Sequence, residues 1–272
     1  MVFRNAFRRA CHVARHALTK QHPSTLLVPV LTGGIATAHL AKPALCKENH
    51  TPTSCTTPPV NANVEVLSSP GIKMLMSIIR DKETAQADFV RASDRLMAVL
   101  AEEGLARLPS VMPKKIHTAC GVYDGVSPPN GSTICCVDIM RSGAILAEAV
   151  RRMVPDVKTG KILIQRDEET AEPKLFYHKF PPDLTKLQVL LCDPMLATGG
   201  SALMAIRELK KMGVKEENIL FINLLCCPEG LRAFAEHAPK VRIVTTGLDE
   251  KLNPKKFIVP GLGDMGDRYY GS

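Results

Sequence analysis

Nine consecutive residues, Asp193-Pro194-Met195-Leu196-Ala197-Thr198-Gly199-Gly200-Ser201, combine a carboxylate, two hydroxyls and a pair of glycines. The apolar run 189–192 precedes them and a helical pattern from Ala202 to Met212 follows. That order predicts a buried strand, a loop and a helix N-terminus. Paired glycines let successive backbone N–H groups converge on one anion, and the helix dipole adds to the pull. Thr198 and Ser201 offer hydroxyl donors to the same anion. Asp193 falls at the carboxyl end of the strand, where open α/β sheets bind ligands. An acid beside a phosphate cup suits a sugar phosphate, the acid accepting from ribose hydroxyls while the turn holds the 5′-phosphate. Thr-Gly-Gly before a helix is also a common tight turn with no ligand at all. The spacing is not that of a P-loop, because no Gly-Lys-Ser/Thr follows.

Three further segments carry chemistry at predicted strand ends. Arg141-Ser142-Gly143 follows the apolar run 134–140, and an arginine in a small turn can grip a pyrophosphate through guanidinium and amides. Gln165-Arg166-Asp167-Glu168-Glu169-Thr170 is a charged strand exit, equally readable as a solvated loop. The tail Ile258-Val259-Pro260-Gly261-Leu262-Gly263-Asp264-Met265-Gly266-Asp267-Arg268 contains the spacing G-x-G-x-x-G. A dinucleotide site is excluded there, since no helix is expected after it and the chain ends at Ser272. Repeated glycines suggest instead a loop whose backbone approaches a flat ligand and reads its alternating donors and acceptors.

These segments must be held by a scaffold, and the pattern from residue 134 onward supplies one. Short apolar runs at 134–140, 162–165, 189–192, 219–225 and 241–245 alternate with helical stretches at 144–153, 202–212 and from Pro228. A further short run lies at 175–177. Alternation of this kind predicts βαβ units around a parallel sheet with helices on both faces. Before it lie two helical patterns, one over Ile72 to Ile79 and one over Phe89 to Leu100 that Gly104 is expected to cap. A turn-rich stretch around Tyr123-Asp124-Gly125 and Pro128-Pro129-Asn130-Gly131 follows.

Charge divides the chain in two. Residues 1–60 hold Arg4, Arg8, Arg9, Arg15, Lys20, Lys42 and Lys47 against Glu48, a net +6 of the total +8. The remaining residues are nearly neutral, which argues against a nucleic-acid face. An Arg-rich, acid-poor, amphipathic start reads as a transit peptide for a mitochondrion or plastid, or as a basic extension on a cytoplasmic protein. The division expected is 1–60 as extension and linker and 61–272 as the folded domain. No apolar run reaches the roughly 18 residues of a membrane span. The nine cysteines show no C-x-x-C spacing, and the neighbouring pairs 135/136 and 226/227 read as core fillers on opposite strand faces.

From about Val64 to Ser272 the chain resembles uracil phosphoribosyltransferases of the eukaryotic type. The strings that carry the resemblance are Ile79-Arg80-Asp81-Lys82, Ala87-Asp88-Phe89-Val90, 160–170, 193–201 and 260–270. The resemblance implies a Rossmann-like phosphoribosyltransferase fold with a C-terminal loop or hood over the base, and conversion of uracil and phosphoribosyl pyrophosphate (PRPP) to UMP and diphosphate. It implies that Asp193 to Ser201, Arg141 and Arg166 bind PRPP. Uracil is placed against Ile258, Gly263, Asp264 and Met265. Asp264 lies close to both substrates and joins Asp193 and Arg141 as a catalytic residue. It further implies Mg²⁺ carried by the diphosphate rather than by a protein site, a homodimer or homotetramer, and GTP as an allosteric activator. Departures from the family pattern are Asp138, Ser142 and the segment His117-Thr118-Ala119-Cys120-Gly121. Asp138 adds a carboxylate near the pyrophosphate site, and the altered segment bears on GTP regulation. A non-catalytic, nucleotide-sensing relative is the alternative reading.

Overall fold

The computed structural model describes residues 63–167 and 172–272. The expected extension over residues 1–60, and Glu168 to Thr170 of the charged strand exit, lie outside the described residues.

The first elements are β1 (Val64–Val66), α1 (Pro70–Arg80) and α2 (Gln86–Ala106). Ser69 caps α1 by accepting from the Ile72 amide at 3.1 Å, and Pro70 occupies the first turn, where its missing N–H costs nothing. Ile72, Leu75, Met76 and Ile79 form the buried stripe of α1, as their spacing predicts. Gly104 does not cap α2. It sits inside the helix, where a Cβ would lie 2.7 Å from Ile222 Cγ2, so its role is close approach to the sheet.

An exposed ribbon follows, β2 (Pro113–Thr118) paired antiparallel with β3 (Gly121–Val126). Tyr123-Asp124-Gly125 is therefore strand rather than turn, and the reversal falls at Ala119–Cys120. The departing segment 117–121 forms the tip of this ribbon.

The alternating part matches its sequence pattern. β4 (Ile134–Met140) leads to α3 (Gly143–Met153), then β5 (Lys158–Arg166) and β6 (Pro173–Lys179). β7 (Gln188–Cys192) passes through the two-residue β8 (Met195–Leu196) into α4 (Gly200–Lys211). β9 (Ile219–Asn223) and β10 (Leu225–Cys226) precede α5 (Pro228–His237) and β11 (Arg242–Thr245). The chain closes with β12 (Lys251–Leu252), β13 (Ile258–Val259) and α6 (Met265–Tyr270). A short helix does follow the glycine tail, contrary to expectation, because the Asp264 side chain caps it through the Asp267 amide.

The main sheet has seven strands in the order β1-β11-β9-β7-β4-β5-β6. All neighbours run parallel except β6, an antiparallel edge strand, so the sheet is mixed rather than wholly parallel. Between the end residues Gln188 and Asn223, the buried strands β7 and β9 carry only apolar residues because both faces are covered. One core layer joins α1, α2 and α3 to the sheet, the other joins α4 and α5. Cys135 and Cys136 point to opposite layers, as do Cys226 and Cys227. From β4 the chain crosses by α3 to β5 on one side; from β7 it crosses by α4 to β9 on the other. The crevice between β4 and β7 is thus a topological switch point, where such sheets hold ligands. Among the described residues no helix is long and apolar enough to cross a membrane.

Candidate active site

Three adjacent strands deliver the polar residues to one end of the sheet. Asp193 follows β7, Arg141 follows β4, and Arg166 ends β5. Gly143 welds the first two together. A Cβ there would stand 2.3 Å from the Cys192 carbonyl oxygen, so only glycine lets the Arg141 turn lie against the Asp193 strand. Gly199 adopts φ +84°, a left-handed conformation that favours glycine, and hands the chain into α4. The Thr198 hydroxyl accepts from the Gly200 amide at 3.4 Å, shaping the same turn. The Met140–Arg141 and Val259–Pro260 peptide bonds are cis.

These strand ends open on a cavity of about 720 Å³, closed on its far side by the glycine tail. Arg141, Arg166, Asp193, Met195, Ala197 and Ser201 line one part of it. Ile258, Gly263, Asp264 and Met265 line the other. Pro194, Leu196, Thr198, Gly199 and Gly200 are not on the wall. Pro194 accepts from the Leu224 and Leu225 amides, Leu196 is buried in the core, and the last three form the turn itself.

Asp193 is buried, and burial pushes its carboxyl up to about 7. The positive charge of Arg166, the Met195 amide and the Ser142 hydroxyl oppose that rise, while the negative charge of Asp264 adds to it. Ser142 therefore supports the acid. Arg141 is tied to the C-terminal segment: its guanidinium donates to the Asp267 carboxylate of α6 and, at 2.9 Å, to the Ser272 hydroxyl. The Tyr270 ring lies 5.8 Å away.

Asp138 does not face the cavity. It is 1% exposed and bound to Lys161 on β5 at 2.9 Å, so the added carboxylate is neutralised within the sheet layer rather than offered to a ligand. Burial raises its affinity for a proton, and Lys161 lowers it. Cys192, next to Asp193, is fully buried, and burial holds its thiol far above the usual range, which leaves it no nucleophilic character.

Other wall residues gave no sequence signal. Lys256 and Phe257 reach the cavity from the turn between β12 and β13, within a polar Asn-Pro-Lys-Lys stretch that reads only as a loop. Arg80, Asp249 and the tail's own Arg268 hold the glycine tail from outside the cavity, and only tertiary structure brings Arg80 and Asp249 to it.

A sheet-end acid, two arginines on neighbouring strands and a glycine tail over one cavity can bind a phosphorylated sugar against a flat base. The family model described as uracil phosphoribosyltransferase matches residues 66–272. The chain belongs to the uracil phosphoribosyltransferase family. A relative of that name from Dictyostelium discoideum is 50% identical over 212 residues, covering 77% of this chain and 97% of its own. The uracil phosphoribosyltransferase of Saccharomyces cerevisiae is 50% identical over 197 residues, covering 72% and 90%. A solved structure of a protein from Aquifex aeolicus superposes with a TM-score of 0.66 at 33% identity, covering 76% of this chain and 97% of that one. All four chemical segments, and α1 and α2 beneath them, fall inside the uracil phosphoribosyltransferase match.

Proposed function

We propose that this chain transfers the phosphoribosyl group of PRPP to N1 of uracil, giving UMP and diphosphate. The observation that carries the reading is the meeting of the Asp193 loop and the Gly263–Met265 loop over a single cavity. Ser201 on the cavity wall, with the turn of Thr198, Gly199 and Gly200 that leads to it at the α4 N-terminus, holds the 5′-phosphate, and Asp193 accepts from the ribose hydroxyls. Arg141 and Arg166 face the diphosphate. Ile258 and the backbone of Gly263 to Met265 hold uracil, with Asp264 between the two substrates.

Bond breaking at the anomeric carbon spreads positive charge over the ribose and gathers negative charge on the leaving diphosphate. The two arginines stabilise the latter. Fixing N1 in line with the anomeric carbon turns an encounter between two molecules into an oriented one. Positioning and electrostatics carry the chemistry, through Asp193, Arg141 and Arg166 at the strand ends. Among the described residues no group of three or more metal-ligating side chains is gathered. Mg²⁺ would arrive with the diphosphate, and Asp193 and Asp264, hard oxygen donors at the cavity, would be the side chains to face it. It would supply further neutralisation of the leaving diphosphate.

The test is UMP formation by the full chain with PRPP and uracil, orotate or hypoxanthine, with Mg²⁺ or with a chelator. Turnover with uracil that requires Mg²⁺ is expected; turnover with another base alone overturns the reading. GTP in the same assay tests the expected activation, and a rate unchanged by GTP removes it. Assembly as a homodimer or homotetramer belongs to the same reading, supported by the exposed Val122, Tyr123 and Val126 on the β2–β3 ribbon. Light scattering that finds a monomer overturns it. Residues 1–60 are proposed as an organellar presequence on the strength of their charge. A fluorescent protein fused to them is expected to reach a mitochondrion or plastid, and a cytoplasmic signal removes the proposal.

A further inference from the structure

The glycine tail is anchored from behind, by groups that never touch the cavity. Gly261 stands at φ +63°, where a Cβ would lie 2.1 Å from the Ile258 carbonyl oxygen. Its amide donates to Asp249 Oδ2 at 2.8 Å, and its carbonyl accepts from Arg80 Nη1 at 2.8 Å. Arg80 and Asp249 are themselves joined as a fork, at 2.9 and 2.7 Å. Asp249 is 7% exposed. The next carbonyl, Leu262, accepts from Arg268, which also donates to the Asp81 carbonyl at 2.7 Å and lies over the Phe89 ring. Both polar groups of Gly261 and the carbonyl of Leu262 are thereby turned toward the end of α1. Gly263, Asp264 and Met265 are left to face the cavity.

A pyrimidine is told from its neighbours by the order of donors and acceptors along its edge. A loop that reads this order with its backbone must present the right groups, and every N–H and C=O satisfied elsewhere is removed from the reading. We propose that Asp249 and Arg80 are positioning residues for base selectivity: Asp249 fixes the Pro260–Gly261 peptide and Arg80 the Gly261–Leu262 peptide, and together they set which backbone groups of the tail meet the base. The inference rests on the reading that Gly263 to Met265 hold uracil. Arginine is required rather than lysine, because one side chain must hold both carboxylate oxygens and the Gly261 carbonyl, and an ammonium lacks that fork.

The experiment is steady-state kinetics of Arg80→Lys and Asp249→Asn in the full chain, with thermal unfolding run alongside to measure the folded fraction. Uracil KM is expected to rise about tenfold or more while PRPP KM stays within about twofold, and discrimination against cytosine, whose edge reverses the donor and acceptor at N3 and C4, is expected to fall about tenfold. Uracil KM and selectivity unchanged in folded variants overturn the proposal, as does a fall in kcat alone. If Asp249→Asn does not fold, Arg80→Lys, which keeps the charge, decides the matter. A wild-type chain that does not use uracil defeats the base-site reading instead, so the two failures are distinct.

Discussion

The Arg141 guanidinium and the Asp267 carboxylate form an ion pair across the cavity mouth, joining the turn after β4 to the last helix of the chain. Both side chains are about half exposed, 56% and 51%, so water already screens much of their attraction. Pairs of this kind contribute about 0–1 kcal/mol. A diphosphate carries more charge than one carboxylate and can take Arg141 from Asp267 at small cost.

That asymmetry gives the first prediction. Arg141→Ala is expected to lower kcat/KM for PRPP by about a hundredfold or more, or about 2.7 kcal/mol of transition-state stabilisation. Asp267→Ala is expected to change the same quantity by less than about fivefold. Equal losses in the two variants would mean that Arg141 acts only through its pair with Asp267.

Asp193 gives a prediction in pH. Its folded carboxyl titrates near 7, against about 3.9 in an unfolded chain. Between those values the folded state keeps a proton that the unfolded state has lost, so this group's contribution to stability falls as pH rises through the window and is level above it. Asp193→Asn is therefore expected to raise Tm at pH 8 and to leave it nearly unchanged at pH 4. Thermal unfolding of the two proteins at both pH values measures this, and equal Tm values at pH 8 would contradict it.

Gly143→Ala drives a methyl group into the Cys192 carbonyl, a backbone atom with no rotamer in which to escape. A cost of about 1–3 kcal/mol is expected from overpacking. Because the displaced segments carry Arg141 and Asp193, turnover is expected to fall further than the loss of folded protein explains. Unfolding curves and kcat on the same preparation separate the two effects.

Lys256 is the one residue other than glycine with a positive φ, +64°, among the described residues. Glycine adopts that conformation without the Cβ strain of about 1 kcal/mol, although part of the gain is lost to the freer unfolded chain. Lys256→Gly is expected to keep or modestly raise Tm. Lys256 lines the cavity, so PRPP KM is expected to rise in the same variant, and an unchanged KM shows a purely conformational position.

The sequence by itself determined the alternating strands and helices from Ile134 onward, because strands covered on both faces are mostly apolar and stand out as short apolar runs between helical patterns. It also determined the Asp193 turn, where glycine spacing and a strand-end acid are local facts. The tertiary structure decided what local patterns do not contain. Gly104 reads as a helix stop in one dimension, yet the distance to Ile222 on another element makes it a contact residue. Asp138 reads as a carboxylate near a phosphate site, yet Lys161 on the next strand closes it off. Tyr123 to Gly125 have turn composition, yet pairing with β2 makes them strand. The glycine tail announced a loop near a ligand, but Asp249 and Arg80 shape it from 12 and 181 residues away along the chain. Such contacts depend on which surfaces meet after folding, and no spacing within one segment records them.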